Sequence, residues 1–246
     1  MARELTFVLI GQSNMVGWTE SKFSELPDWM KTKPRNMHFY QHGREMDFSQ
    51  QPGGRIGPEV AFSKFIAAYY PGRRLNIVKL AVGGTSIYDW AKVWNPRVSF
   101  RMADSRIRNS LYALLKRQIQ LSGVLNGNGK KISAFVWMQG ERDARFPAAA
   151  NAYLGNINAL INDLRHEYNS PHARFILGRI NPPKYPYHLS VDVVRHAQEQ
   201  VAARARATHY VNTDDLPKAR DKVHYNTQGQ IRLGRRFADE FRRMHG

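Results

Sequence analysis

The stretch Leu5-Thr-Phe-Val-Leu-Ile-Gly-Gln-Ser-Asn-Met15 decides the fold of this chain. Its first half is continuously apolar, which is typical of a strand buried on both faces of a parallel sheet. Its second half places a serine directly after that strand, where a glycine permits a sharp turn. We therefore predict a buried first strand that ends in a polar loop carrying Ser13.

Four more apolar segments follow, and stretches with helical spacing separate them. This alternation predicts an α/β fold, a doubly wound three-layer α/β/α sandwich around a mostly parallel, five-stranded sheet. Two proline-containing segments, 19–51 and 181–190, are predicted to be loops near the site, the first with room for one helical turn. The predicted strands are 5–10, 75–82, 132–138, 174–180 and 209–211, and the predicted helices are 59–70, 102–121, 153–168, 191–206 and 227–244.

Length and composition favour one globular domain over residues 1–246. The chain has 246 residues, of which 42% are hydrophobic and 23% charged, and we find no internal repeat. It has no cysteine, which excludes disulfides, thiolate metal sites and a cysteine nucleophile. The sequence shows no signal peptide and no apolar run of about 20 residues, so we expect no transmembrane segment. The expected location is the cytoplasm, a phage particle or a non-classical export route.

The net charge is the most unusual bulk property of the sequence. It is +17, and the isoelectric point is near 10.3. Nucleic-acid binding, a solvated basic surface and attraction of an acidic polysaccharide all agree with this charge. The arginines and lysines are spread over the chain without the aromatic residues of an RNA-binding motif, which favours the last two interpretations.

A serine near one end and an Asp-x-x-His segment near the other suggest nucleophilic catalysis. In a tight turn Asp221 can accept the Nδ1–H of His224, which leaves Nε2 free to take a proton from Ser13. Each feature alone has a structural explanation, because Ser13 could cap a helix and Asp221 could form a surface ion pair.

Two further strand ends are predicted to open at the same edge of the sheet as Ser13. The backbone N–H groups of Gly83 and Gly84 and the Gln139 amide could donate to a developing oxyanion. Alternatively, the glycines form a tight strand-to-helix turn and Gln139 is a hydrogen-bonded polar group. The joint occurrence of these features favours the catalytic interpretation.

Five blocks in order carry a resemblance to a known family. Together they are similar to the sialate O-acetylesterase-like branch of the SGNH hydrolases, which also contains the acetylxylan esterases of carbohydrate esterase family 6. The blocks extend over nearly the whole chain: Gly11-Gln-Ser-Asn-Met15, Gly57-Pro-Glu59, Gly83-Gly-Thr-Ser86, Trp137-x-Gln-Gly-Glu-x-Asp143 and Asp221-x-x-His224.

The resemblance implies a flavodoxin-like fold and a serine esterase that removes acetyl groups from sugar hydroxyls through an acetyl-enzyme. It implies no cofactor and no metal. The implied substrate is an acetylated carbohydrate. The positive net charge of the protein is compatible with an acidic one. The implied roles are nucleophile for Ser13, base for His224, orienting acid for Asp221, and oxyanion donors for the Ser13 backbone N–H, Gly83 or Gly84, and Gln139.

The remaining motif residues are predicted to support the site. Either Glu141 and Asp143 hold Gln139 and the neighbouring loops in position, or one of the two carboxylates contacts His224. We favour the first interpretation. Oligomeric state and the identity of the sugar cannot be derived from these motifs. The supporting residues are Gln12, Asn14, Glu141 and Asp143.

Other classes of function are less well supported by the sequence. None of the nine histidines shows the paired spacing of a zinc helix, and no glycine loop for nucleotides follows a strand. The alternative that we retain is a non-catalytic basic protein on the same fold that binds nucleic acid or acidic glycans.

Overall fold

Seven strands form one sheet in the computed structural model, which describes residues 4–245. Eight helices accompany the sheet within these residues. The strands are β1 (Leu5–Gly11), β2 (Met37–Gln41), β3 (Arg44–Glu45), β4 (Leu75–Ala81), β5 (Ala134–Met138), β6 (Arg174–Gly178) and β7 (Thr208–Val211). The helices are α1 (Ser13–Val16), α2 (Asp28–Lys31), α3 (Glu59–Tyr69), α4 (Pro96–Ala103), α5 (Leu111–Ser122), α6 (Pro147–Glu167), α7 (Val191–Arg204) and α8 (Thr227–His245).

The strand order places β1 at the centre of the sheet. The order is β3-β2-β4-β1-β5-β6-β7, and every pair is parallel except the antiparallel pair of β2 and β3. Gly11, the last residue of β1, lies between Ala81 of β4 and Met138 of β5. The carboxyl ends of the three central strands therefore meet at one edge, where an α/β sheet carries its site.

Helices cover both faces of this sheet, which confirms the three-layer α/β/α fold. On one face the ring of Phe7 contacts the rings of Phe62 in α3 and Phe241 in α8, at centroid distances of 5.1 and 4.8 Å. On the other face Trp137 of β5 packs edge to face against Trp90, with centroids 5.3 Å apart. All five rings are buried, so both interfaces exclude water.

The prediction of five strands was wrong by two, and both missing strands lie in segment 19–51. The segment predicted as a long loop contains α2, β2 and β3. In β2 only Met37 and Phe39 are buried. The strand beside it, β3, has just two residues, and both are exposed. So short a strand with one half-exposed face has too little apolar periodicity to be distinguished from a loop.

The single helix predicted at 102–121 was also wrong, because the chain forms two helices there. Helix α4 ends at Ala103, because the next residue, Asp104, is left-handed with a φ of 45°. Helix α5 begins only after Ser110. The Ser110 hydroxyl accepts the backbone N–H of Ala113, and the Asn95 side chain caps the start of α4. These capping residues are sequence signals for two helix starts, and the apolar spacing obscured them.

The other predicted strands and helices are confirmed, with ends shifted by a few residues. The largest shift is in α6, which begins at Pro147, six residues before the predicted start at 153. Proline is favoured in the first turn of a helix because its missing N–H has no partner there. Within residues 4–245, none of the helices combines the length and the apolar content that a membrane span requires.

Candidate active site

Ser13 is the first residue of α1 and follows β1 after a single residue. The turn depends on Gly11, whose φ is +152°. A Cβ atom at this position would lie 2.1 Å from the carbonyl oxygen of Met138 on the adjacent strand. Only glycine therefore lets the chain leave the centre of the sheet at this angle and present Ser13 at its edge.

Ser13, His224 and Asp221 form a hydrogen-bonded chain across 211 residues of sequence. The distance from His224 Nε2 to Ser13 Oγ is 2.9 Å, and that from His224 Nδ1 to Asp221 Oδ2 is 2.5 Å. With Nδ1 as the donor to Asp221, Nε2 is left to accept the Ser13 hydroxyl proton. This is the geometry that a hydroxyl nucleophile needs.

The tight turn before α8 holds Asp221 in its ionised form. Burial would raise the pKa of Asp221, but hydrogen bonds from the His224 ring and from the backbone N–H groups of His224 and Val223 outweigh it and lower that pKa. Both backbone bonds to Asp221 Oδ1 are 2.9 Å long. The carboxylate therefore orients the imidazole and stays negative opposite it.

Asn14 fastens the loop that carries the histidine to the turn that carries the serine. Its Nδ2 donates to the Val223 carbonyl at 3.2 Å, and its Oδ1 accepts the backbone N–H of Tyr225 at 3.1 Å. These two residues flank His224 in the chain. One side chain thus sets the distance between the two elements of the site.

Glu141 supports Asn14 and forms no hydrogen bond with His224 among the described residues. Its Oε1 accepts from Asn14 Nδ2 at 2.7 Å, while its Oε2 is buried without a hydrogen-bond partner there. Burial raises the pKa of Glu141, and the bond from Asn14 offsets this only in part.

Gln139 is fully buried, and internal acceptors surround its amide nitrogen. Nε2 lies 2.9 Å from the carbonyl oxygen of Thr85 and 2.5 Å from Asp143 Oδ2. The contact between Gln139 Nε2 and Gln12 Oε1 is longer, at 3.3 Å. Because an amide nitrogen has two hydrogens, a bond from Gln139 to an oxyanion would replace one of these bonds.

Asp143 links Gln139 to the loop after β4. It accepts the Ser86 hydroxyl at 2.6 Å and the backbone N–H of Ile87 at 3.1 Å. Burial raises the pKa of Asp143 to about 6, although the hydrogen bonds from Ser86, Gln139 and Ile87 act in the opposite direction. Asp143 therefore contacts Gln139, and Glu141 contacts Asn14.

Three backbone N–H groups, in the Ser13 turn and in the loop after β4, have no hydrogen-bond acceptor within residues 4–245. They belong to Ser13, Gly83 and Gly84. Gly83 lies against the serine, because a Cβ atom on it would be 3.8 Å from Ser13 Cβ. Both glycines are exposed.

The indole of Trp18 covers one face of the His224 ring, a contact that the sequence analysis missed. The two rings are nearly parallel, at 10°, with centroids 3.8 Å apart. Trp18 comes soon after Ser13 in the chain, but only the folding of the distant Asp-x-x-His turn brings it onto the histidine.

A buried ion pair under the nucleophile turn was missed as well. Lys79 in β4 and Glu59 in α3 have side chains that are 0% exposed, with 2.7 Å between Nζ and Oε2. Lys79 Nζ also donates to the Val16 carbonyl at the end of α1, at 3.1 Å. A lysine in the largely apolar segment 75–82 was the available signal, since a charge in a buried strand requires a partner.

Comparison with solved structures supports the fold. The X-ray structure of the protein AT4G34215 from Arabidopsis thaliana superimposes with a TM-score of 0.77 at 22% identity and covers 98% of both chains. XAC1771, a carbohydrate acetylesterase from Xanthomonas citri, has a TM-score of 0.71 at 18% identity over 97% of this chain and 56% of that one. NanS has a TM-score of 0.68 at 14% identity over 100% of this chain and 99% of that one.

Sequence comparison identifies the family. The probable carbohydrate esterase At4g34215 from Arabidopsis thaliana is 26% identical over 189 residues, which cover 76% of this chain and 63% of that protein. The model of the family described as carbohydrate esterase, sialic acid-specific acetylesterase matches residues 3–243. This match extends over nearly the whole chain and agrees with the resemblance stated above. The chain therefore belongs to the sialic acid-specific acetylesterase family of carbohydrate esterases.

Proposed function

We propose that the protein is a carbohydrate O-acetylesterase in which Ser13 is the nucleophile, His224 the general base and Asp221 the orienting acid. The observation that carries the proposal is the continuous chain of short contacts from Ser13 Oγ through both ring nitrogens of His224 to Asp221. Membership of a carbohydrate esterase family supports an acetylated sugar as the substrate.

In the first half-reaction, Ser13 Oγ attacks the carbonyl carbon of the acetyl ester and its proton passes to His224 Nε2. The imidazolium is stabilised by the Asp221 carboxylate, which keeps its negative charge. The tetrahedral intermediate then breaks the bond to the sugar oxygen, which takes the proton from Nε2. The sugar leaves with a free hydroxyl, and the acetyl group remains on Ser13.

The negative oxygen of this intermediate requires donors that are already in place. We propose the backbone N–H groups of Ser13 and of Gly83 or Gly84 for this role, because they have no other acceptor and lie beside the nucleophile. Gln139 remains a predicted donor. Its bonds to Thr85 and Asp143 support a further role, which is to fix the loop that carries the two glycines.

In the second half-reaction, water attacks the acetyl carbonyl and gives its proton to His224. Collapse of the new tetrahedral intermediate releases acetate, and the proton returns from Nε2 to Ser13 Oγ. The enzyme is then in its starting state.

The proposal predicts that the protein releases acetate from 4-nitrophenyl acetate and acetylated xylo-oligosaccharides faster than it cleaves longer-chain esters. A fluorophosphonate, which reacts with activated serines, should modify Ser13 stoichiometrically, as detected by mass spectrometry of the digested protein. The Ser13→Ala variant should not be labelled.

The Ser122→Ala variant is the matched control, because Ser122 lies at the end of α5 and only caps its own helix. It should retain both activity and labelling. Labelling of another residue, or acetate release that persists in the Ser13→Ala variant, would show that the nucleophile is assigned wrongly.

Trp18 is expected to stabilise the protonated His224 ring, because an aromatic face attracts a cation stacked against it. Such contacts contribute about 0.5–2 kcal/mol, depending on solvent exposure. We expect Trp18→Leu to lower kcat by roughly 2- to 30-fold, since about 1.4 kcal/mol corresponds to a factor of ten. Steady-state kinetics with 4-nitrophenyl acetate would measure the change.

Trp18→Phe separates this effect from simple packing. Phenylalanine keeps an aromatic face, whereas leucine keeps only an apolar cover over the imidazole. We expect Phe to restore most of kcat. Equal losses in the two variants would assign Trp18 a packing role and contradict the electrostatic one.

A further inference from the structure

The edge of the sheet opposite Ser13 carries a groove lined by basic residues. Three cavities of about 840, 320 and 340 Å³ lie along the amino ends of the strands. The first and second share Arg73, and the first and third share His172 and Arg174. Because they share lining residues, the cavities form one track, which we call the amino-edge groove.

Cations follow one another along this groove in the order of the strands. Arg73 and Arg74 precede β4, Lys130 and Lys131 precede β5, and the others lie at the starts of β6 and β7 and in α8. The one carboxylate among the described lining residues is Glu4, which pairs with Lys130 at 2.9 Å and with Arg74 at 3.5 Å. Arg243 pairs with Glu240, which does not line the cavities. The other lining arginines and lysines have no acidic partner among the described residues. The cationic lining residues are Arg73, Arg74, Lys130, Lys131, Arg174, Arg206 and Arg243.

Stabilisation of helix ends explains only part of this arrangement. Lys131 Nζ donates to the carbonyl of Asn169 after α6, and Arg174 donates to the carbonyl of Met244 in α8. Cations are favoured there because helix C-termini carry partial negative charge. A carbonyl is neutral, however, so these bonds hold Lys131 and Arg174 in place without cancelling their charge. Among the described residues, neither Arg73, which lies over the Tyr70 ring, nor Arg206 donates a side-chain hydrogen bond to a helix end.

The groove has the dimensions of a site for a polymer. It passes the amino ends of six adjacent strands from β2 to β7, a distance of roughly 24 Å at about 4.8 Å per strand. The seven residues of β1 separate it from Ser13 by roughly 20 Å at about 3.3 Å per residue. A ligand in the groove therefore lies outside the candidate active site.

We propose that the amino-edge groove binds one extended chain of an acidic polysaccharide. A concave track with cations at the amino ends of β4, β5, β6 and β7 matches a linear chain whose sugars carry carboxylates. Single-stranded nucleic acid is normally held by aromatic side chains that stack on its bases, and the described lining residues include no Phe, Tyr or Trp. An acidic glycan also agrees with the membership of a carbohydrate esterase family.

A role for this second site in holding a polymeric substrate between successive cleavages rests on the proposed function, but binding itself does not. The proposal does not depend on the chemistry at Ser13, because it concerns binding at the opposite edge of the sheet. Its failure and the failure of the proposed esterase activity are therefore distinguishable, and the Ser13→Ala variant should bind the polymer as tightly as the wild type.

Binding of a fluorescent polygalacturonate oligomer to the full chain tests the proposal. We expect the triple variant Arg73→Gln, Lys131→Gln, Arg206→Gln to bind at least about tenfold more weakly at low salt. A plot of log affinity against log salt concentration should become less steep by about 2. Each contact between a cation and a single-stranded polyanion contributes about 0.7 to this steepness, and the triple variant removes three such contacts. A neutral xylo-oligosaccharide should not bind in the groove.

Two controls separate the groove from general charge. The variant Arg97→Gln, Arg117→Gln, Arg232→Gln loses the same charge at exposed positions that do not line the three cavities, and it should bind like the wild type. Arg73→Lys, Lys131→Arg, Arg206→Lys keeps the charge and should also bind.

Three results would overturn the proposal. Equal weakening in both Gln triples would mean that net charge alone attracts the polymer. Absence of polygalacturonate binding by the wild type would exclude the site. Tighter binding of an oligo(dT) strand than of polygalacturonate, lost in the groove triple, would assign the groove to nucleic acid instead.

Discussion

Replacement of His224 by alanine is expected to lower kcat for acetyl ester hydrolysis by about 10⁴-fold or more. Without the imidazole, the Ser13 hydroxyl has no group to take its proton, and the leaving sugar oxygen has no donor. Ser13→Ala should cause a loss of similar size. The measurement is the turnover of 4-nitrophenyl acetate under saturating substrate, with folding of each variant checked by circular dichroism.

The double variant Ser13→Ala, His224→Ala gives a sharper test than either single change. Residues that act as one unit show losses that do not add, so the double variant should be no slower than the slower single variant. His196→Ala is the matched control, because His196 lies on α7 with a side chain that is 69% exposed, and it should leave kcat unchanged. Multiplicative losses in the double variant would mean that Ser13 and His224 act independently.

Lys79→Met is expected to lower the free energy of unfolding by about 3–5 kcal/mol, the usual cost of leaving a buried charge without its partner. Burial lowers the pKa of Lys79, although attraction to Glu59 and the hydrogen bond between them act in the opposite direction. Removing the ammonium leaves Glu59 buried beside Gln51 with no counter-charge. Urea denaturation of the wild type and the variant gives the difference.

The same substitution at the surface provides the control for the buried pair. Lys31 pairs with Asp28 at 2.9 Å, with side chains that are 36% and 97% exposed. Lys31→Met should cost less than about 1 kcal/mol, because water screens this pair. The double variant Lys79→Met, Glu59→Leu should recover much of the loss, since apolar side chains of similar size can replace a buried pair. Equal costs for the two Lys→Met changes would contradict this account.

Most of the fold could be predicted because buried parallel strands leave a strong pattern. The largely apolar runs that became β1, β4, β5 and β6 are typical of buried strands. The strands β2 and β3 lack that pattern. One face of β2 is partly exposed to solvent, and β3 is only two residues long. The break between α4 and α5 was missed because Ile107, which packs on the core from a non-helical segment, continued the apolar spacing.

The candidate site was predictable where its residues follow strand ends in short motifs. In the structure, His224 lies within hydrogen-bonding distance of both Ser13 and Asp221, and Gly83 lies against Ser13. Partners that meet from distant parts of the chain could not be predicted in this way. The stacking of the Trp18 ring on the His224 ring is one such contact. The two residues are far apart in the sequence, and no rule of residue spacing connects them.

The sequence by itself determined the strands β1, β4, β5, β6 and β7, with helical segments between them, and the residues that follow their carboxyl ends. Both are visible in the local sequence. The spacing of apolar residues indicates which segments are buried, and a glycine after a strand permits a sharp turn. The tertiary structure alone decided which groups each side chain contacts. Asn14 joins the serine turn to the histidine loop, Gln139 donates into the core, and cations from successive strands line one groove. Such contacts depend on distances of a few ångströms between segments more than 200 residues apart, and a linear pattern carries no information on them.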